Sequence, residues 1–316
     1  MITELSPEAT ELGQHARRAL EAAGGDPLVE RAEADPARRA ELVEPVLAPL
    51  GAWELDVRAG ADELEAAAAL CRSAGWWATP YPVAERLAAP SGTGVAGLVV
   101  VADDHPRAAL AGMGGTWRTV ALDGGTHDAT AGTDPRPVRT TGFVVPLELD
   151  GSADPASPED IALGLVLPCC TLLGMLDRAI EATCAYAGDR EQFGQPLSRF
   201  QGVQFQLTEA EVERAGLEVL AAYALWSIEA GRPEVVEDAL ALRVAALDAA
   251  RIAFRVAHQV HGAIGFCDET PLSWLSRHSE PIRRLPHGPA GTLASLTDHL
   301  GRRGLAGLFT GEEARR

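Results

Sequence analysis

Lysine does not occur in this chain. All 27 basic residues are arginine, which excludes a phosphate-binding Walker lysine and any Schiff-base chemistry. Basic charge is scarce as well. Asp and Glu number 45, the net charge is -18, and a nucleic-acid backbone would be repelled. The five cysteines, Cys71, Cys169, Cys170, Cys184 and Cys267, are odd in number and lack metal-type spacing, as expected of reduced thiols in a cytoplasmic protein. No run reaches the roughly 18 uncharged apolar residues of a membrane span. The best candidate, Ile161–Leu176, is short and contains Pro168. The opening Met1-Ile2-Thr3-Glu4 turns acidic without the basic and apolar regions of a secretory leader. The expectation is therefore a cytoplasmic protein with no nucleic-acid or membrane partner.

What is present divides into three stretches, taken as domains over 1–90, 91–150 and 151–316. The first is rich in Ala, Glu, Leu and Arg and reads as helical. Asp62-Glu63 can open a helix whose one-face spacing runs through Leu64, Ala67, Ala68 and Cys71 and ends near Trp76-Trp77 and the Thr79-Pro80-Tyr81-Pro82 turn. The second holds β-branched runs at Leu98–Ala102, Trp117–Leu122 and Thr140–Leu147. Gly114-Gly115, Asp123-Gly124-Gly125 and Gly132-Thr133-Asp134-Pro135 separate them, giving about three to five strands. From Ser157 the pattern returns to helix. Ile161, Leu165, Cys169, Leu172, Leu176, Ile180 and Cys184 form one stripe, with Pro168 a start or kink. Ser198-x-x-Gln201 has the form of a capping box opening the next helix, which carries Leu217, Leu220, Ala224 and Ile228. A third helix begins at Pro233-Glu234 with two apolar faces, the mark of burial between neighbours. Long helices with short loops imply an antiparallel bundle.

Some motifs mislead. Gly92-x-Gly94-x-x-Gly97 has the letters of a dinucleotide fingerprint, but it follows a turn and precedes a strand, so it reads as a loop. His258 and His261 lack a third ligand for zinc. Cys169-Cys170 reads as two small buried side chains.

The informative segment is Arg190-Glu191-Gln192-Phe193-Gly194-Gln195-Pro196-Leu197-Ser198-Arg199-Phe200-Gln201-Gly202-Val203-Gln204, with Gln259-Val260-His261-Gly262-Ala263-Ile264-Gly265-Phe266 further on. Arginine offers a planar fork of donors to a pyrophosphate, and glycine lets backbone N–H groups approach it. A helix connector and a glycine cap without ligand would read the same way if either stood alone. Together, and in this order, the two segments resemble the acyl-CoA dehydrogenase family. That resemblance implies a mainly α fold: an N-terminal helical domain, a reduced middle β domain and a C-terminal antiparallel bundle. It further implies that Arg190, Phe193, Gln201 and the backbone from Gln259 through Val260, His261, Gly262 and Ala263 contact FAD shared with a neighbouring subunit.

The departures from the family are equally informative. Its members use a glutamate base, usually in a Glu-Gly-Thr sequence after the glycine turn. Here that region reads Leu285-Pro286-His287-Gly288-Pro289. In some members the base lies early in the first bundle helix, a position that falls near Gly164, with Glu159 and Asp160 over a turn away. No counterpart of the family's flavin-ring loops stands between Pro90 and Gly151. The pattern resembles the smaller subunit of the α2β2 acyl-CoA dehydrogenases of bacterial steroid side-chain degradation. This implies a longer partner subunit carrying the catalytic glutamate, an acyl-CoA substrate oxidised to the 2-enoyl-CoA, and an electron-transfer flavoprotein as acceptor. No catalytic residue and no metal are then assigned to this chain. The alternatives are a self-sufficient flavoenzyme with His287 as base, and a flavin-free scaffold.

Overall fold

The computed structural model describes residues 4–102, 105–133 and 143–303. Asp134-Pro135 and Thr140–Gly142 of the expected β region lie outside the described residues.

The N-terminal stretch folds as α1 (Pro7–Ala22), α2 (Asp26–Ala34), α3 (Arg39–Leu47), α4 (Ala61–Trp76) and the short α5 (Val83–Leu87). Ser6 caps α1 by accepting from the Ala9 N–H. Arg39 on α3 is buried, donating from Nε to the Pro80 carbonyl at 2.8 Å and from Nη1 to the Ala111 carbonyl at 2.7 Å. Its guanidinium also lies 4.1 Å from the centre of the Phe143 ring. One buried cation thus ties the helices to the Thr79–Pro82 turn and to the β region.

That region is a five-stranded sheet of β1 (Leu98–Val100), β2 (Arg107–Ala108), β3 (Trp117–Val120), β4 (Thr126–Ala131) and β5 (Val145–Ser152), in the order β1-β3-β4-β5-β2. Only β1 and β3 are parallel, pairing Leu98 with Arg118. The sequence runs anticipated β1, β3 and β5. They missed β2, only two residues long, and β4, whose small or polar Thr-His-Asp-Ala-Thr-Ala carries no large apolar side chain. Gly92, Gly94 and Gly97 form a loop ahead of β1, as expected.

The remainder is α6 (Pro158–Asp189), a hairpin of β6 (Glu191–Gln192) and β7 (Gln195–Pro196), α7 (Gln201–Glu229), α8 (Val235–His261), α9 (Pro271–Arg284) and α10 (Pro289–Arg303). A true capping box starts α6, where Ser157 and Asp160 exchange side-chain to backbone bonds. Pro168 lies inside this helix rather than at its start. By length and composition α6 could cross a membrane, but 72% of its apolar window is buried in this molecule, so its apolarity serves the core. The expected capping box at Ser198 does not form. Ser198 sits in a 3₁₀ turn, Phe200 takes the N-cap position without a side-chain cap, and Gln204 Nε2 donates to the Ser198 carbonyl at 2.9 Å. Of the four apolar residues noted on α7, Leu217, Ala224 and Ile228 are buried and Leu220 stands 39% exposed.

Helices α4 and α6 cross at unusually close range. A β-carbon on Gly174 would lie 1.8 Å from the Arg72 carbonyl oxygen, and one on Gly75 would lie 1.8 Å from that of Thr171. Glycine is required at both positions for the backbones to touch. One connected apolar core joins Leu20 and Leu28, through Leu98 and Trp117, to Phe254 and Leu272.

Candidate functional site

Helix α6 ends at Arg190, which leaves the helical region with ψ 114. The Arg190 N–H donates to the Tyr186 carbonyl at 2.9 Å, and its carbonyl accepts from the Leu197 N–H at 2.8 Å. These bonds close the β6–β7 hairpin over a two-residue turn, Phe193-Gly194, with φ of 52° and 80°. Left-handed backbone suits glycine but costs a phenylalanine of order 1–3 kcal/mol. This turn holds Phe193 out at the loop tip, 93% exposed, with the Phe200 ring edge-on to it at 6.2 Å. The Arg190 guanidinium has no ion pair or side-chain hydrogen bond among the described residues.

The second motif ends α8. Gly262 takes φ 64° and ψ -142°, a combination closed to residues with a β-carbon, and a tight turn runs from Gly262 to Phe266. Open space surrounds Gly262 on its side-chain side.

A ring contact brings the two motifs together. Tyr186, near the end of α6, stacks on His261, the last residue of α8, with centroids 4.4 Å apart. The two helices therefore end side by side, and α7 starts at the same end of the bundle. Of the residues expected from sequence, Arg190, Phe193, Gln201, Gln259, Gly262 and Ala263 are exposed there. Val260 and His261 are buried instead, at 9% and 7% exposure. Their side chains support the turn from within, and His261 Nδ1 lies 2.9 Å from the Ala257 carbonyl. Residues not singled out share this end: Phe205 (69% exposed) one turn into α7, and Ile264 (43%) and Phe266 (70%) beyond Gly262. Ile264 and Phe266 lie within the second segment and Phe205 just beyond the first, a signal that the sequence already carried.

His258 lies flat on Phe266 at 4.3 Å, with Nε2 3.0 Å from Ser276 Oγ. Burial, with neighbouring His261 and Arg283 acting the same way, holds the His258 imidazole below the usual histidine range. Burial does the same to His261, against the pull of the Ala257 carbonyl. Among the described residues no cluster of three or more His, Cys, Asp or Glu could hold a metal ion.

The places where a base would be sought are different in character. A β-carbon on Gly164 would meet Val100 Cγ2 at 2.5 Å, so strand β1 fills the space a longer side chain would need. Asp160 is engaged with Arg58 at 2.6 Å and with Ser157. Burial works against ionisation here, but these bonds outweigh it and hold the carboxyl below its usual range. The His287 carbonyl, with those of Ile282 and Leu285, is held by Nη2 of the buried Arg243. Glu85, at the centre of α5, was not anticipated. It lines two small cavities of about 60 Å³ each, together with Ala109, Pro168, Pro281 and Ile282. Burial pushes its carboxyl above the usual range, and Arg39 opposes this.

Residues 163–303 match the family described as acyl-CoA dehydrogenase, C-terminal domain. That match covers 141 of the 316 residues, a little under half of the chain. Among curated relatives, the probable acyl-CoA dehydrogenase YngJ of Bacillus subtilis is 36% identical over 108 residues, 34% of this chain and 28% of that protein. The chain thus spans well under two thirds of the curated relatives it matches. Solved structures resemble it along nearly its whole length. The Tcur3481-Tcur3483 steroid ACAD G363A variant aligns with a TM-score of 0.76 at 20% identity, covering 95% of this chain and 99% of that one. The ChsE4-ChsE5 complex from Mycobacterium tuberculosis gives 0.76 at 17% identity, with 97% and 100% covered. The fold is that of the acyl-CoA dehydrogenases, whose cofactor is FAD. The exposed Arg190 and the open backbone at Gly262 offer the donors that a pyrophosphate group needs.

Proposed function

We propose that this chain is the shorter subunit of a heteromeric, FAD-dependent acyl-CoA dehydrogenase of the cytoplasm, completing the FAD site for a longer catalytic partner. The carrying observation is an asymmetry. Arg190, Phe193 and Gly262 stand open at one end of the bundle, while the position around Gly164 is closed by Val100 and carries no carboxylate. Arg190 would hold the pyrophosphate through charge-assisted bonds, the Gly262–Ala263 backbone would lie against it, and Phe193 and Gln201 would flank the cofactor. FAD supplies hydride acceptance in such enzymes. The longer subunit would supply the glutamate that removes the substrate proton, giving the 2-enoyl-CoA, and an electron-transfer flavoprotein would reoxidise the flavin.

Flavin absorbance of the purified chain, alone and co-expressed with full-length acyl-CoA dehydrogenase chains of its source organism, tests this reading. A colourless chain that becomes a yellow, active complex with one of them is the expected result. A fully FAD-loaded, active homo-oligomer overturns it. Glu85 favours a second reading, in which the chain is a self-sufficient enzyme, because a buried carboxyl of raised pKa beside a cavity is what a general base requires.

A further inference from the structure

Two imidazoles from one face of α8 lie against the Gly262–Phe266 turn. His258 and His261 are three residues apart, so they are neighbours on the helix surface. A β-carbon on Gly265 would lie 2.9 Å from His261 Cβ and 3.3 Å from His258 Nδ1, so the turn sits tightly on both residues. Their roles differ. His261 is buried against Tyr186 of α6. His258 links the turn to α9. Its ring lies 4.3 Å from that of Phe266 with an interplanar angle of 12°, and its Nε2 is 3.0 Å from Ser276 Oγ. Its Nδ1 is buried and has no hydrogen-bond partner among the described residues. The tautomer that fits carries its proton on Nε2, donates it to Ser276 and leaves Nδ1 bare. A proton added at Nδ1 would be a buried donor with no acceptor, next to Gly265.

We infer that His258 is a positioning residue for the cofactor: its neutral imidazole, set between Ser276 and Phe266, holds the Gly262–Phe266 turn where the pyrophosphate would meet it. The inference rests on the reading above, in which the Gly262–Ala263 backbone lies against FAD. The surroundings give a protonated His258 no support. Burial opposes the charged form, and His261 on the same helix and Arg283 on α9 act the same way. The acids of the packed elements are engaged elsewhere. Glu209 of α7 pairs with Arg255 at 2.9 Å, Asp268 beyond the turn with Arg277 at 3.0 Å, and Glu280 of α9 with Arg283 at 2.8 Å. Glu269 is exposed, and α6 presents Tyr186 to His261. Because the folded imidazole is held below the unfolded value of about 6.5, the turn has its full stability above that pH and loses it as pH falls through it. Cofactor retention then carries the signature of this one side chain.

The test has two arms. In the full chain alone, NMR of labelled histidine follows the His258 ring while the amide signals of Ala263 and Gly265 are recorded over the same pH series. The expected result is one shared midpoint below about 6.5, absent from the amides of His258→Phe. Amides that ignore the His258 titration overturn the positioning role whatever the chain assembles with. In the second arm FAD is titrated into the complex with the longer subunit at about pH 7.5 and about pH 5.5. The parent should lose at least about tenfold in affinity at the lower pH. His258→Phe keeps a ring against Phe266 but takes no proton, so it should bind within about threefold of the parent at the higher pH and show no acid loss. His258→Ala removes the ring, and should bind about tenfold more weakly at both pH values. An acid loss that persists in His258→Phe and disappears in His261→Leu overturns the assignment to His258. Coupled amides in the first arm with no FAD binding by any complex overturn the heteromeric reading, and with it the cofactor role given to the turn.

Discussion

The two ends of helix α6 have opposite character. Near its start, Gly164 is pressed against strand β1, Asp160 is bonded to Arg58 and Ser157, and the neighbouring cavities are only about 60 Å³ each. At its end, the Arg190 guanidinium has no partner among the described residues, Phe193 is held in a strained and exposed turn, and three further apolar side chains face outward. A monomer gains nothing by keeping a phenylalanine at φ 52° and 93% exposed, because both strain and exposure cost free energy. The satisfied end serves stability, and the unsatisfied end is where the proposed partner would sit.

The strongest challenge to that contrast is to damage the satisfied end. Gly174→Ala would put a methyl group on the Arg72 carbonyl at 1.8 Å, forcing α4 and α6 apart. The expected loss is about 3 kcal/mol or more, read as a large fall in melting temperature before any effect on cofactor. A variant melting within a degree or two of the parent would mean that the crossing is looser than described.

The opposite substitution probes the open end. Arg190→Ala should leave the melting temperature of the chain unchanged, since its guanidinium holds no partner among the described residues. In the complex it should weaken FAD binding about ten- to a hundredfold, the value of a lost charge-assisted bond of roughly 1.5–3 kcal/mol. Arg190→Lys should recover only part, because an ammonium lacks the planar fork. Saturating FAD should restore turnover. Unchanged FAD affinity in a titration of the apo-complex would make Arg190 structural.

Both the helical bundle and the two motifs were legible because their signals are local. The stripe from Ile161 to Cys184 is a matter of spacing, and it holds as far as Ile180 while Cys184 is exposed; the Arg190 and Gly262 segments are short contiguous strings. The missed features depend on distant partners. Arg39 is buried only because Pro80 and Ala111 offer carbonyls, and Arg243 because Ile282, Leu285 and His287 do. Glu85 shows nothing in sequence of the walls that α6 and α9 build around it. Ser198-x-x-Gln201 had the letters of a capping box, but the 3₁₀ turn delays the helix by two residues and gives the Ser198 carbonyl to Gln204.

Phe193→Gly separates strain from function. Removing a left-handed phenylalanine should stabilise the chain by about 1 kcal/mol, while FAD retention by the complex falls. Stability and cofactor affinity that decline together would indicate that Phe193 supports the hairpin instead.

Glu85→Gln sharpens the interior. Its folded pKa is raised, so the folded state prefers the protonated form. The group's contribution is most favourable below the unfolded value of about 4.3 and is lost as pH rises through the folded value. Glu85→Gln should therefore be more stable than the parent at pH 7, by roughly 1–3 kcal/mol, the cost of a poorly satisfied buried group. The difference should vanish near pH 4. A complex that loses its pH-dependent turnover in this variant would instead promote Glu85 to the base of a self-sufficient enzyme.

The smallest expected effect is at His287. It occupies the stretch where the family's glutamate would be sought, yet the structure engages its backbone. The His287 carbonyl accepts from Arg243 at 3.0 Å and from Thr292 Oγ1 at 3.0 Å. Truncating the imidazole leaves that carbonyl in place, so the loop between α9 and α10 should keep its anchor. If the proton is removed by the partner's carboxylate, His287→Ala should change turnover of the complex less than about threefold, far below the 10²–10⁴ of a general base. The pH profile of kcat should be superimposable on that of the parent. A fall of about a thousandfold, with one limb of the pH profile lost, would identify His287 as the base and make this chain catalytic. The interior would then be an active site, and the contrast between the two ends of α6 would no longer separate stability from function.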